Sequence, residues 1–190
     1  MGHEHRARGN KAVSTSVRRL AVRAAGLALL LVASLAAPGA VNGSGSAKPD
    51  GWIQYRPQCG CKPWVGNNIY NTTGTNQTAK ATWIGSMVGF GEKFTFALKI
   101  QNDGTVSGRF KVKAPSSSWK IKYFRGSTNI TSSVVAGTYQ TSSLPPGARI
   151  EITVQVDLDT MDADPVRLVT ITSSSNSTKK DAVRLMLKRV

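Results

Sequence analysis

The sequence predicts an all-β protein, a two-sheet β-sandwich of about seven strands, on three observations. Apolar and polar residues alternate with a period of two through most of 81–190, as they do in half-buried strands. Clusters of Gly, Pro, Asn and Ser interrupt that alternation at short intervals. No stretch in the same region keeps the apolar spacing of a helix. Many short strands with frequent turn signals pack as two facing sheets.

Residues 1–40 read as a cleavable signal peptide. Arg6, Arg8, Lys11, Arg18, Arg19 and Arg23 form a basic head. The run AAGLALLLVASLAA at 24–37 is apolar but shorter than the ~20 helical residues a bilayer requires. Small residues follow, with Ala37 and Gly39 placed for cleavage after Gly39, and Gly43 and Ala47 as alternatives. The flanks of Arg18-Arg19 fit a twin-arginine signal poorly, so the general secretory route is expected. No transmembrane segment is expected once the leader is removed.

Removing the leader changes the composition. The chain of 190 residues carries 25 Lys+Arg and 10 Asp+Glu, net +15. The first forty residues hold six of the bases and Glu4, so the remainder keeps 25 − 6 = 19 bases and 10 − 1 = 9 acids, net +10. His3 and His5 are the only histidines and both leave with the leader. A Ser-His-Asp triad, a Cys-His pair and a His-ligated zinc are thereby excluded from the mature chain.

Residues 41–80 are expected to be a linker and irregular segment, with KPDGWIQYRPQ an exposed lead-in and the Asn/Thr/Gly-rich 60–80 an irregular run. The strands are expected near 81–88, 92–101, 108–114, 119–125, 148–157, 166–173 and 181–189, with a further short one near 138–141. Ile150, Ile152, Val154 and Val156 should face inward, as should Val183, Leu185 and Leu187. Trp119 begins a strand whose Ile121 and Tyr123 share its face, and a large aromatic there would fill the space between sheets. Asn102-Asp103-Gly104 supplies residues that tolerate positive φ for a tight bend. Pro145-Pro146-Gly147 fixes one backbone torsion and frees the next.

The strand–Asn-Asp-Gly–strand unit KIQNDGTVSGRFKVKAP, the Leu-Pro-Pro-Gly turn before a long strand, VGNNIYNTTGTNQT and NSTKKDAVRLMLK together resemble the immunoglobulin-like modules of bacterial cell-surface and secreted proteins, of which the CARDB domains are one branch. The resemblance implies a two-sheet sandwich outside the cell, over 81–190 and most of the mature chain. It implies no catalytic site. The Cys-Gly-Cys and the acidic DLDTMDAD depart from the family's usual look.

Three features carry chemistry. Cys59-Gly60-Cys61 is a candidate disulfide, the default in an exported chain, although the ring is tight; bonds to other chains and a free thiol pair are the alternatives. Asp157, Asp159, Asp162 and Asp164 cluster, and carboxylates ligate calcium, but the spacing lacks the glycine and closing Glu of an EF-hand loop, and a solvated turn explains them more simply. Lys99, Arg109, Lys111, Lys113, Lys120 and Lys122 take the outward positions of three consecutive strands. If those strands are neighbours, one face is strongly positive and suited to an anionic cell-wall polymer or polysaccharide. The plainer explanation is a soluble face that resists edge pairing. No nucleic-acid motif accompanies the charge, so no specific nucleic acid is expected.

Trp52, Tyr55, Trp64 and Tyr70 are candidates for a sugar-stacking platform or for packing an N-terminal segment on the sandwich. The sequons at Asn71, Asn76, Asn129 and Asn176 mark exposed polar loops. The function expected is that of a non-catalytic extracellular module, structural or adhesive, without cofactor or metal. The alternative is a small secreted carbohydrate- or polyanion-binding protein.

Overall fold

The computed structural model describes residues 45–83, 92–116, 120–157 and 166–190. Residues 1–40, where a signal peptide is expected, Trp119, and Asp159, Asp162 and Asp164 lie outside them. Nine strands and one short helix follow in order. They are β1 Pro49–Tyr55, β2 Thr78–Trp83, β3 Lys93–Asn102, β4 Phe110–Lys113, β5 Lys120–Arg125, β6 Thr128–Asn129, α1 Thr131–Ala136, β7 Arg149–Asp157, β8 Val166–Ser173 and β9 Lys180–Arg189.

Two sheets result. Sheet A has the order β1-β3-β7-β5-β6, and sheet B the order β2-β9-β8-β4. All pairings are antiparallel except β2 with β9. The order β1-β3-β7-β5 opposite β9-β8-β4 reproduces the A-B-E-D and G-F-C sheets of an immunoglobulin-like sandwich, with β2 added in parallel beside the last strand. The fold is therefore an immunoglobulin-like β-sandwich.

Alternation builds the core. Phe94, Phe96, Leu98 and Ile100 of β3 and Ile150, Ile152, Val154 and Val156 of β7 face inward from sheet A. Phe110 and Val112 of β4, Val169 and Ile171 of β8, and Val183, Leu185 and Leu187 of β9 meet them from sheet B. Most are wholly buried, and each large one contributes about 1.5–3 kcal/mol through removal from water. Tyr123 is fully buried beside them, which raises its phenol pKa to about 12 through loss of hydration.

The domain boundary expected at residue 81 is corrected by β1 and β2. β1 is the edge strand of sheet A, pairing with β3 from Pro49↔Asn102 to Tyr55↔Phe96. It is not an exposed lead-in, because both of its faces are covered. Ile53 points into the core, while Gln54, on the other face, donates to the Lys62 carbonyl at 2.6 Å. The free edge of β1 is closed by Val65, which exchanges backbone hydrogen bonds with Ile53 at 2.8 and 2.9 Å. The segment 138–141 forms a single bridge, Gln140 to Lys111, along the edge of β4 rather than a full strand.

The Asn-Asp-Gly bend has a different physical basis from the one its residues suggest. Gly104 does not adopt positive φ. It is glycine because residues 46–48 pass directly over it: a Cβ there would meet the Ser46 carbonyl and lie 2.6 Å from Lys48 N. Buried Asn102 organises the bend by donating to Val106 O and Leu144 O at 2.9 and 2.8 Å. Its Oδ1 accepts from Gly104 N at 3.0 Å. Gly147, by contrast, is left-handed at φ 74°, as the Pro-Pro-Gly turn predicts.

Candidate functional site

The topology separates the six cations expected on one face. β4 pairs with β8 in sheet B, whereas β3 and β5 lie in sheet A on either side of β7. Lys99, Lys120 and Lys122 therefore sit on the outer face of sheet A. Lys111 and Lys113, with Arg109 just before β4, sit on sheet B. Strands consecutive in sequence need not be neighbours in a sandwich, because the chain crosses between sheets.

On sheet A two cations have carboxylate partners and a third is packed among aromatic rings. Arg56 holds Glu151 through two bonds, Nη1 to Oε1 at 2.7 Å and Nη2 to Oε2 at 2.9 Å. Lys122 lies 3.9 Å from Asp157. Lys99 is enclosed by aromatic rings, its Nζ 3.9 Å from the centroid of Trp64 and 4.5 Å from that of Trp52. Its pKa is lowered by loss of hydration and by nearby Arg149 and Arg56, against an upward pull from Glu151.

Sheet B differs. Its outward positions carry Lys80 of β2, Lys180, Arg184 and Lys188 of β9, and Lys111 and Lys113 of β4. All are exposed except half-buried Arg184. The described acids are Asp50, Glu92, Asp103, Glu151, Asp157 and Asp181. The first five belong to sheet A or its ends, and Asp181 points inward from β9. Among the described residues, the outer face of sheet B thus holds cations and no carboxylate. Thr172 lies between Lys111 and Lys180 in register, and Thr170 beside Lys113. Strand spacing puts these groups on a face of roughly 14 by 27 Å, with Lys111 and Lys113 about 7 Å apart. The contribution of β2 and β9 was legible in principle: Lys80 alternates with inward Ala79 and Ala81, and Arg184 and Lys188 alternate with inward Leu185 and Leu187.

The aromatic candidates divide as well. Tyr55 packs on Phe94 and Phe96 at the core margin. Trp64 meets Trp52 edge to face at a centroid distance of 6.4 Å. Trp52 and Tyr70 line an open groove of about 680 Å³ together with Asn67, Asn68, Gln101, Asp103 and Arg149.

Beneath the groove, Asp181 is a buried junction. Its carboxylate accepts from the backbone N–H of Gly51 at 2.6 Å, Asn71 at 3.1 Å and Ala182 at 2.8 Å, and from Gln77 Nε2 at 3.0 Å. It thereby ties β9 of one sheet to β1 of the other and anchors the loop before β2. Burial pushes its pKa up to about 6, while these hydrogen bonds pull it down.

Cys59 and Cys61 are both free and exposed in this structure. Gly60 between them turns the chain at φ 71°. Among the described residues no three of His, Cys, Asp and Glu group closely enough to hold a metal ion. No described helix is long and apolar enough to cross a membrane.

No family model matches the chain, and no curated protein matches it. Solved structures resemble it at low identity. A FixG-related protein from Vibrio parahaemolyticus is 10% identical over 76% of this chain and 98% of its own, with a TM-score of 0.42. The N-terminal domain of PorA is 9% identical over 72% and 96%, with a TM-score of 0.39. The secreted serine protease VesC from Vibrio cholerae is 17% identical over 58% of this chain but 21% of its own, with a TM-score of 0.36.

Proposed function

We propose that the chain is an exported, non-catalytic immunoglobulin-like module that adheres to an anionic polymer of the cell surface through the outer face of sheet B. The observation that carries this reading is that Lys80, Lys111, Lys113, Lys180, Arg184 and Lys188 share a face with no described carboxylate, whereas on sheet A Arg56 and Lys122 have carboxylate partners. A flat cationic face attracts a polymer bearing repeated carboxylates or phosphates, with the Thr172 hydroxyl between Lys111 and Lys180 as a hydrogen-bond donor. The CARDB-like character of its turns and strands, and the basic, short-apolar leader, support a place outside the cell.

The test is retention on immobilised polygalacturonate and on teichoic acid at low and moderate salt. Comparison is with the variant Lys111→Gln/Lys113→Gln/Lys180→Gln/Arg184→Gln. At about 1 kcal/mol per cation against an anionic surface, the four changes weaken binding by up to about 4 kcal/mol, roughly a thousandfold, at low salt. The salt dependence flattens with them, since fewer counterions are released. Equal retention of the two proteins at both salts refutes the reading. Retention on DNA equal to that on wall polymer would mean that the face selects charge alone.

A further inference from the structure

We infer that the groove between Trp52 and Tyr70 is a second, separate binding site, and that its ligand is a neutral saccharide. It stands at the β1–β3 end of sheet A, apart from the basic face, and does not depend on that face's role.

Both aromatic side chains are held in place at the protein surface by buried or half-buried polar groups. Trp52 Nε1 donates to Asp50 Oδ2, and the same oxygen accepts from Asn68 N at 3.2 Å. Lys99 Nζ and Trp64 pack on the Trp52 ring. Tyr70 donates its hydroxyl proton to Asp103 Oδ2 at 2.6 Å, with Asn68 Oδ1 3.1 Å away, and Lys48 Nζ sits over its ring. Tyr70 nevertheless remains 38% exposed.

This arrangement is costly, which argues that it serves something other than stability. Asp50 is wholly buried, and its Oδ1 has no hydrogen-bond partner. Burial raises its pKa. Asn68 adopts φ 57°, the left-handed region that non-glycine residues rarely occupy. Buried Asp50 fixes two of the groove's lining residues, Trp52 and Asn68, at the cost of one unsatisfied oxygen.

The lining identifies the ligand class. Lys48 covers one face of Tyr70 and Lys99 packs on Trp52, so the exposed remainder of each ring is what the groove offers to C–H groups. Asn67, Asn68 and Gln101 offer amides that both donate and accept. Asp103 and Arg149 supply one charge of each sign, so the groove has no net preference for an ion. A volume near 680 Å³ lies within the range of small-ligand sites. An apolar ligand or a peptide anchor would need a deep greasy pocket, and this lining is mainly polar. A sugar ring, with hydroxyls around its rim and a C–H face, fits each requirement.

The experiment is affinity electrophoresis and saturation-transfer NMR with cellotetraose, maltotetraose, chitotetraose and mannotetraose, using the mature protein. At least one tetrasaccharide should bind. Tyr70→Ala should weaken it about tenfold or more, the size expected when a stacked ring is lost, and, separately, Arg149→Gln should weaken it about tenfold through loss of a charged hydrogen-bond donor. Both residues are exposed, so the thermal midpoint should hold, and circular dichroism checks this. Lys111→Gln/Lys113→Gln should leave sugar binding unchanged. Binding to none of the four sugars, or binding unaltered in both groove variants, overturns the inference.

Discussion

Replacing Asp181 with Asn should convert a pH-dependent stability into a nearly flat one. Its carboxylate is wholly buried and its pKa rises from 3.8 to about 6. The folded state therefore binds the proton more tightly than the unfolded chain does. That contribution to stability is full below about pH 4 and is lost as pH rises through about 6. The shift is 6 − 3.8 = 2.2 units, which corresponds to about 3 kcal/mol between acid and neutral conditions. Asn carries no charge to bury, but its amide NH₂ replaces one acceptor facing the N–H groups of Gly51, Asn71, Ala182 and Gln77. Leaving a buried donor unpaired costs about 1–3 kcal/mol at every pH. At pH 4 the variant should thus be less stable than wild type by about 1–3 kcal/mol. At pH 8 the variant should match wild type or exceed it by up to about 2 kcal/mol. Urea unfolding at pH 4, 6 and 8 measures this. Parallel profiles for the two proteins would show that Asp181 does not titrate on folding, and the reasoning would fail.

Gly104→Ala should destabilise the fold by about 3 kcal/mol, because its methyl group meets backbone atoms of residues 46–48 that cannot rotate away; chemical denaturation reads this directly, and a loss under about 0.5 kcal/mol would refute the close approach. The mature N-terminus should fall before Gly45. Ala47 is fully buried and the chain at 46–48 covers the Asn-Asp-Gly bend, so cleavage after Gly39 or Gly43 keeps the sandwich whole while cleavage after Ala47 does not. N-terminal sequencing of secreted protein decides between them.

Strands whose two faces meet different environments were legible in the sequence. β3, β7, β8 and β9 alternate cleanly, and their inward residues are those that the period of two selects. β1 was not legible because both of its faces are covered and one of them is polar. Asp50 and Gln54 are buried through hydrogen bonds, so PDGWIQY shows no hydrophobic face. The helix α1, TSSVVA, is six residues of mostly β-branched and hydroxyl side chains, held by its neighbours rather than by propensity. The basic face was half legible. Outward parity gave the right side of each strand, but the assignment of strands to sheets comes from long-range pairing that no local pattern encodes. Lys111 and Lys113 consequently have Lys180 and Arg184 as companions, not Lys120 and Lys122.

That reassignment gives the most direct measurement of the central claim. Two charge-matched variants, Lys111→Gln/Lys113→Gln on sheet B and Lys120→Gln/Lys122→Gln on sheet A, lose the same two charges and keep the same net charge. Retention on polygalacturonate at low salt should fall for the sheet B pair, by about tenfold or more at about 1 kcal/mol per lysine, and stay near wild type for the sheet A pair. Equal losses would mean that net charge alone governs binding, and a loss confined to the sheet A pair would place the site on the opposite face; either result contradicts adhesion through sheet B.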